Sequence, residues 1–143
     1  MKGSRLRVFA DTTVLIAAAV SAHPRHDRAI NALASNECVV SAHGLLEAYA
    51  GLTTLPVRPR ITVADAAAVI ESFRERADVV VLSSAEYARV VADCAQLGLM
   101  GGVVYDALHA AAARKARAQR LLTFNTSDFL RVWPEGRDII AEP

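Results

Sequence analysis

Cysteine is scarce: the 143 residues contain two, Cys38 and Cys94, far apart and in no CxxC or Cys/His spacing. That excludes a disulfide framework and a zinc-type site, and it reads as reduced structural thiols of a cytosolic protein. A dominant charge is missing too. Sixteen Lys and Arg against fifteen Asp and Glu leave a net charge of +1, so no global field marks a nucleic-acid binder and any such contact must come from local patches. No apolar run approaches the ~20 residues of a membrane span. There is no Pro/Gly/Ser tract, no block of like charge and no repeat, while hydrophobic residues make up 53% and charged residues 22%. A largely disordered chain is excluded. What remains is a single domain, residues 1–143, able to bury roughly two-thirds of its unfolded surface.

The N-terminus imitates a secretory signal, with Lys2, Arg5 and Arg7, then Val14 to Val20, then Val20-Ser21-Ala22. Asp11-Thr12-Thr13 interrupts the apolar part, so the imitation reads as accidental.

What is present alternates between two periods. Val8-Phe9-Ala10 is an unbroken apolar run, suited to a parallel strand buried on both faces. Asp11-Thr12-Thr13 after it is turn and helix-cap chemistry. The pattern then predicts a short helix from Val14 to Ala22 and an amphipathic one from Arg25 to Asn36 with Ile30 and Leu33 inward. A strand follows at Cys38-Val39-Val40. Ser41 caps a helix through Leu45, Leu46, Ala48, Tyr49 and Leu52 that stops before Pro56. Thr62 caps another, with Val63, Ala66, Ala67, Ile70 and Phe73 on one stripe. Asp78 to Leu82 reads as a strand, and Ser83 or Ser84 caps a helix through Tyr87, Val90, Val91 and Cys94 ending at Gly98. A long helix spans Val103 to Ala118, a strand Leu121 to Phe124, a polar turn Asn125 to Asp128, and a last strand Ile139-Ile140. Strands separated by helices give an α/β fold, a parallel sheet of four to five strands with helices on both faces. Right-handed crossovers gather the strand ends on one edge.

Four acids fall near that edge. Asp11 ends the first strand. Glu47 sits on the helix after the second, with Gly44, Ala50 and Gly51 as one-turn neighbours. Asp106 lies in the first turns of the long helix, where the dipole favours an anion, and Asp128 follows the fourth strand. Carboxylates gathered without a counter-ion raise one another's pKa, so a stable cluster demands a cation. All-oxygen ligation points to Mg²⁺ or Mn²⁺, and such a site does phosphoryl chemistry.

On Phe9-Ala10-Asp11-Thr12-Thr13-Val14-Leu15, Leu46-Glu47, Tyr105-Asp106-Ala107-Leu108-His109-Ala110-Ala111-Ala112-Ala113 and Leu122-Thr123-Phe124-Asn125-Thr126-Ser127-Asp128-Phe129, the chain resembles the PIN domain family, and within it the VapC-type toxin ribonucleases of type II toxin-antitoxin pairs. The resemblance covers nearly the whole chain. It implies a PIN-like three-layer fold and a Mg²⁺- or Mn²⁺-dependent endoribonuclease acting on cellular RNA. It also implies neutralisation by a cognate antitoxin, and a homodimer is often the form. It assigns Asp11 and Asp106 as central metal ligands, Glu47 as the second acid and Asp128 as the acid before Phe. Thr123 and Asn125 would orient Asp128, and Thr12 or Thr13 would support Asp11 or the attacking water. Many members carry a carboxylate where this chain has Asn125.

Each feature also has a plainer account. Asp11 can cap a helix, Asp106 can answer a helix dipole, Glu47 can be an exposed helix residue and Asp128 a turn residue. His109 reads as a packed or surface histidine rather than a base. Arg114, Lys115, Arg117 and Arg120 can meet RNA phosphates or simply stabilise a helix C-terminus. Arg58 and Arg60 can grip RNA or an acidic antitoxin segment, with no stacking aromatics interleaved. The apolar helices at Val14–Val20 and Val63–Phe73 suit either a partner groove or burial within the monomer. Two other functions stand against the ribonuclease: a catalytically silent PIN-like interaction module, and a haloacid-dehalogenase-like phosphatase. The phosphatase wants a second Asp two positions after the first, where this chain has Thr13.

Overall fold

Alternation within the first strand decides the architecture. In β1 (Arg7–Ala10) successive side chains point to opposite faces, and both faces are covered: Phe9 joins one buried cluster while Val8 and Ala10 join another. A strand with no polar face can only be central. The computed structural model, which describes residues 5–143, puts β1 in the middle of a five-stranded parallel sheet ordered β3-β2-β1-β4-β5. Its companions are β2 (Glu37–Ser41), β3 (Asp78–Val80), β4 (Arg120–Leu122) and β5 (Ile140–Ala141). Phe9 is registered with Val39 on one side and Leu121 on the other.

Helices cover both faces, giving three layers. The Phe9 face packs α5 (Ser84–Leu97), α6 (Val103–Lys115) and α7 (Thr126–Val132) through Val90, Cys94, Leu108, Ala112, Phe129 and Val132. The Val8 face packs α1 (Thr12–Ala19), α2 (His26–Ser35) and α3 (Ala42–Thr54), and α4 (Val63–Arg76) leans on that layer by burying Ala66 beside Leu52 and Val20. At the end of the sheet where the strands begin, Arg7 ties three strands together by donating to Glu37 and, at 2.7 Å, to Asp78.

The chain winds outward from β1 to β2 and β3, then crosses back to β4 and β5. The order therefore reverses between β1 and β4, and at their carboxyl ends a crevice opens where open α/β sheets bind ligands.

Several boundaries differ from the sequence expectation. The first helix starts at Thr12 and ends at Ala19, because Asp11 itself caps it. The expected strand Asp78–Leu82 pairs over only three residues, being an edge strand whose Val79 and Val81 are exposed. Asn125–Asp128 is not a free turn: α7 begins at Thr126, with Phe129 fully buried beneath it. The last strand is Ile140–Ala141 rather than Ile139–Ile140, and α6 ends at Lys115 rather than Ala118. Not every apolar residue of the expected helices turns inward. Ile30, Val63, Tyr87 and Val91 are exposed, and the buried residues of their helices are Ala29, Ala66, Val90 and Cys94. Of the signal-like pattern, Lys2 lies outside the described residues, and Val14 to Ala18 line the core apart from half-buried Ile16. Burial within the monomer thus accounts for the first apolar helix.

Candidate active site

Asp11 stands at the crevice between β1 and β4, 3% exposed. Its backbone N–H continues the ladder to the Leu122 carbonyl at 3.1 Å, so the strand carries it to the sheet's edge before the helix starts. Three donors hold its carboxylate. Oδ1 accepts from the Thr13 hydroxyl at 2.6 Å and the Val14 N–H at 3.1 Å, and Oδ2 accepts from the Thr123 hydroxyl at 2.6 Å. Burial nevertheless dominates and pushes its pKa up. Thr123 directly follows β4, so that bond also ties the carboxyl ends of the two strands together.

Asp106 approaches from the first turn of α6. Burial pushes its carboxyl up to about 6, and the charges of Asp128, Asp11 and Glu47 add to the rise while His109 opposes it. The four acids thus share one electrostatic neighbourhood at one edge of one sheet. Asp128 reaches it from the first turn of α7, half-buried.

Glu47, from α3, is held differently. Its Oε1 is bonded by His109 Nε2 at 2.6 Å and lies 3.3 Å from His43 Nε2. Burial raises its pKa, but the two histidines outweigh that and the net direction is down. His109 is 2% exposed, and its Nδ1 lies 3.0 Å from the Ser41 hydroxyl. Ser41 in turn accepts the Gly44 N–H at 2.8 Å as the cap of α3. The hydroxyl proton is therefore free to go to Nδ1, and Nε2–H to Glu47. A continuous chain of donors runs from the α3 cap to the carboxylate.

A model of the PIN domain matches residues 8–132. The chain belongs to the PIN domain family. Among similar proteins, ribonuclease VapC27 of Mycobacterium tuberculosis is 37% identical over 110 residues, 76% of this chain and 78% of the relative. Ribonuclease VapC40 of the same organism is 31% identical over 111 residues, 78% of this chain and 81% of the relative. The fold is shared with the crystal structure of M. tuberculosis VapC20, described as a Sarcin-Ricin loop cleaving toxin, at TM-score 0.70 and 21% identity over 85% of this chain and 92% of that one. It is shared also with a chain of Rickettsia felis VapBC2 bound to a promoter DNA fragment, at TM-score 0.67 and 20% identity over 96% and 99%.

Within this PIN domain Thr13 takes the expected role of supporting Asp11, while Thr123 and Asn125 take others. Thr123 orients Asp11, not Asp128, and its hydroxyl also accepts the Asn125 N–H at 2.9 Å. Asn125 is exposed and its side chain caps nothing. Thr13 is the support of Asp11 and bridges to the Phe124 N–H at 3.0 Å, whereas the Thr12 hydroxyl is buried without a hydrogen-bond partner.

Among the described residues, no three His, Cys, Asp or Glu side chains stand close enough to hold one ion directly as they are placed. The donor chemistry still fits a hard cation. The acids are near enough to raise the Asp106 carboxyl, they offer only oxygen, and an orphaned hydroxyl sits beside Asp11. Mg²⁺ keeps several of its waters and takes only one or two carboxylates directly, so it does not require a closed cage.

His109, Ser41 and His43 were the residues the sequence did not reveal as part of the site. The available signal was positional: His109 is one turn after Asp106, and His43 one turn before Glu47. Of the basic residues at the end of α6, two have partners within the chain. Arg114 lies over the Trp133 ring at 5.1 Å, and Lys115 bonds the Val81 carbonyl at 2.7 Å and Glu86 at 2.6 Å. They sit roughly 13 Å along the helix axis from Asp106. The cations nearer the crevice are Arg25 and Arg28 of the α2 start, 4.7 and 5.6 Å from the centre of the Phe124 ring.

Proposed function

We propose that this PIN domain is an endoribonuclease, the toxin of a toxin-antitoxin pair, that cuts cellular RNA with Mg²⁺ or Mn²⁺ held by Asp11, Asp106, Glu47 and Asp128. The observation that carries the reading is the Asp106 carboxyl, pushed up to about 6 by burial and by Asp128 and Asp11. Burial makes Asp11 and Asp106 both reluctant to ionise there, and a cation would offset that cost. When bound, the ion neutralises the phosphate and makes water more acidic. The chain's own work is orientation. Thr13, Thr123 and the Val14 N–H fix Asp11, and His109 with His43 fixes Glu47. No carboxylate is asked to act as a nucleophile.

An antitoxin and a second copy of the chain are the protein partners in this reading. What supports them is apolar surface left uncovered, including Leu46, Val91 and Met100, together with the assembly named for the R. felis relative. A cytosolic address accords with two free thiols. Among the described residues no helix is long and apolar enough to cross a membrane.

The test is RNA cleavage with Mg²⁺ or Mn²⁺ by the full chain, set beside growth arrest on expression. Asp11→Asn and Asp106→Asn should each lower cleavage by about 100-fold or more, since each removes charge from the ion's site. Unchanged cleavage and arrest would overturn the reading. No cleavage by the native chain, with no gain in heat stability from Mn²⁺, would instead leave the silent interaction module.

A further inference from the structure

We propose that Tyr105 and His43 form a nucleobase subsite beside the acid pocket, on which a base of single-stranded RNA adjoining the scissile phosphate stacks. The inference rests on the ribonuclease reading and names how that site chooses its substrate.

Tyr105 immediately precedes Asp106, yet the residue is 50% exposed, while Ala107 to Ala110 after it are buried. Its ring is stacked on His43, with centroids 5.2 Å apart and planes only 7° from parallel. His43 is anchored in turn, its Nε2 lying 3.3 Å from Glu47 Oε1. The stack therefore starts at one acid of the pocket and ends at a ring next in sequence to another. His43 lies alongside Tyr105 in parallel, and Tyr105 still keeps half of its surface in solvent. That leaves an aromatic surface, steadied by its histidine, beside the acids Glu47 and Asp106.

Such a surface suits a base and not a phosphate. An aromatic face offers no donor to phosphate oxygens, whereas each base has a π-face that stacks on it regardless of sequence. A base is free to do so only when it is unstacked from a duplex, which restricts the ligand to loops, bulges and single strands. A nucleotide whose phosphate sits at the acids carries its base one sugar away, and Tyr105 stacks on the histidine that lies 3.3 Å from Glu47. The rings come from α3 and α6, the same helices that bring Glu47 and Asp106, so the shelf and the acids are set by one helix pair.

The experiment uses short single-stranded oligoribonucleotides carrying 2-aminopurine at successive positions, with the full chain bearing Asp11→Asn so that the RNA survives. At one position, binding should quench the fluorescence. Tyr105→Phe should keep both quench and affinity, because the ring face is retained. Tyr105→Leu, which preserves an apolar side chain at a half-exposed position, should abolish the quench and weaken binding about 5- to 150-fold, the worth of one stacked base. With Asp11 restored, Tyr105→Leu should raise KM and leave kcat little changed, since uniform binding is lost. Equal quench and affinity in Tyr105→Leu would overturn the subsite. So would a change in oligomeric state with RNA binding intact, which would make the ring a protein contact. A native chain that cuts no RNA would defeat the ribonuclease reading and this one with it. Cleavage that is indifferent to Tyr105→Leu would defeat the subsite alone.

Discussion

Asp106 makes a distinct contribution to the pH response of the metal-free chain. Its carboxyl rises from 3.8 to about 6 on folding, so between those values the folded chain holds a proton that the unfolded chain has released. Stability from this group is therefore greatest below 3.8, falls as pH climbs through the window, and stays at its lowered level above about 6. Asp106→Asn should remove that loss. In chelator-treated protein, thermal melts should show the variant gaining on the parent as pH rises and levelling off near neutrality. His109 carries a different prediction. His109→Ala leaves the Ser41 hydroxyl and Glu47 without their shared partner inside the protein, at a cost of about 1–3 kcal/mol in a denaturant titration. His109→Gln, able to reach one partner, should recover part of it. Asp11 and Asp106 were legible because each is a lone acid beside an apolar run or a small-residue helix. His109 was not, because a histidine in an alanine-rich helix has the same local pattern whether it faces Glu47 or only hydrocarbon.

Among the elements, the region after β4 departs most from its local pattern. Asn-Thr-Ser-Asp carries strong turn propensity, and only the burial of Phe129 and Val132 against α6 makes it the first turn of a helix. The same region holds a tight contact. A Cβ at Gly136 would lie 2.4 Å from the Trp133 ring, which is itself packed in the core. Gly136→Ala should cost about 1–3 kcal/mol, read from the urea midpoint, because the indole cannot swing aside as a flexible side chain can. At the start of α2, Arg25 over Phe124 puts an exposed cation next to the loop that supports Asp11. Arg25→Ala should weaken RNA binding evenly across sequences and reduce the salt slope by about one. The stripe expected on α4 holds in part: Ala66 is buried and Ile70 and Phe73 pack against the core, while Val63 and Ala67 are exposed. Spacing identifies a helical face, but whether each residue on that face is buried depends on what packs there.

For the molecule as a whole, a parallel sheet of four to five strands between helices was legible, since unbroken apolar runs alternating with helices admit few other arrangements. The crevice between β1 and β4 was not, because strand order is fixed by pairings across more than a hundred residues and not by any local pattern. An ion that binds only the folded state must raise its stability, by about 2.7 kcal/mol at a hundred times its dissociation constant. Mn²⁺ should thus raise the melting temperature of the native chain, and Asp11→Asn or Asp106→Asn should flatten that rise. The β1–β4 pairing also settles when in the chain's life such chemistry becomes possible. Asp11 emerges early in translation, but the strand that positions it and the hydroxyl of Thr123 that grips it are made more than a hundred residues later. Until β4 has been synthesised and paired, the carboxylate has a strand on one side only and one of its three donors is missing.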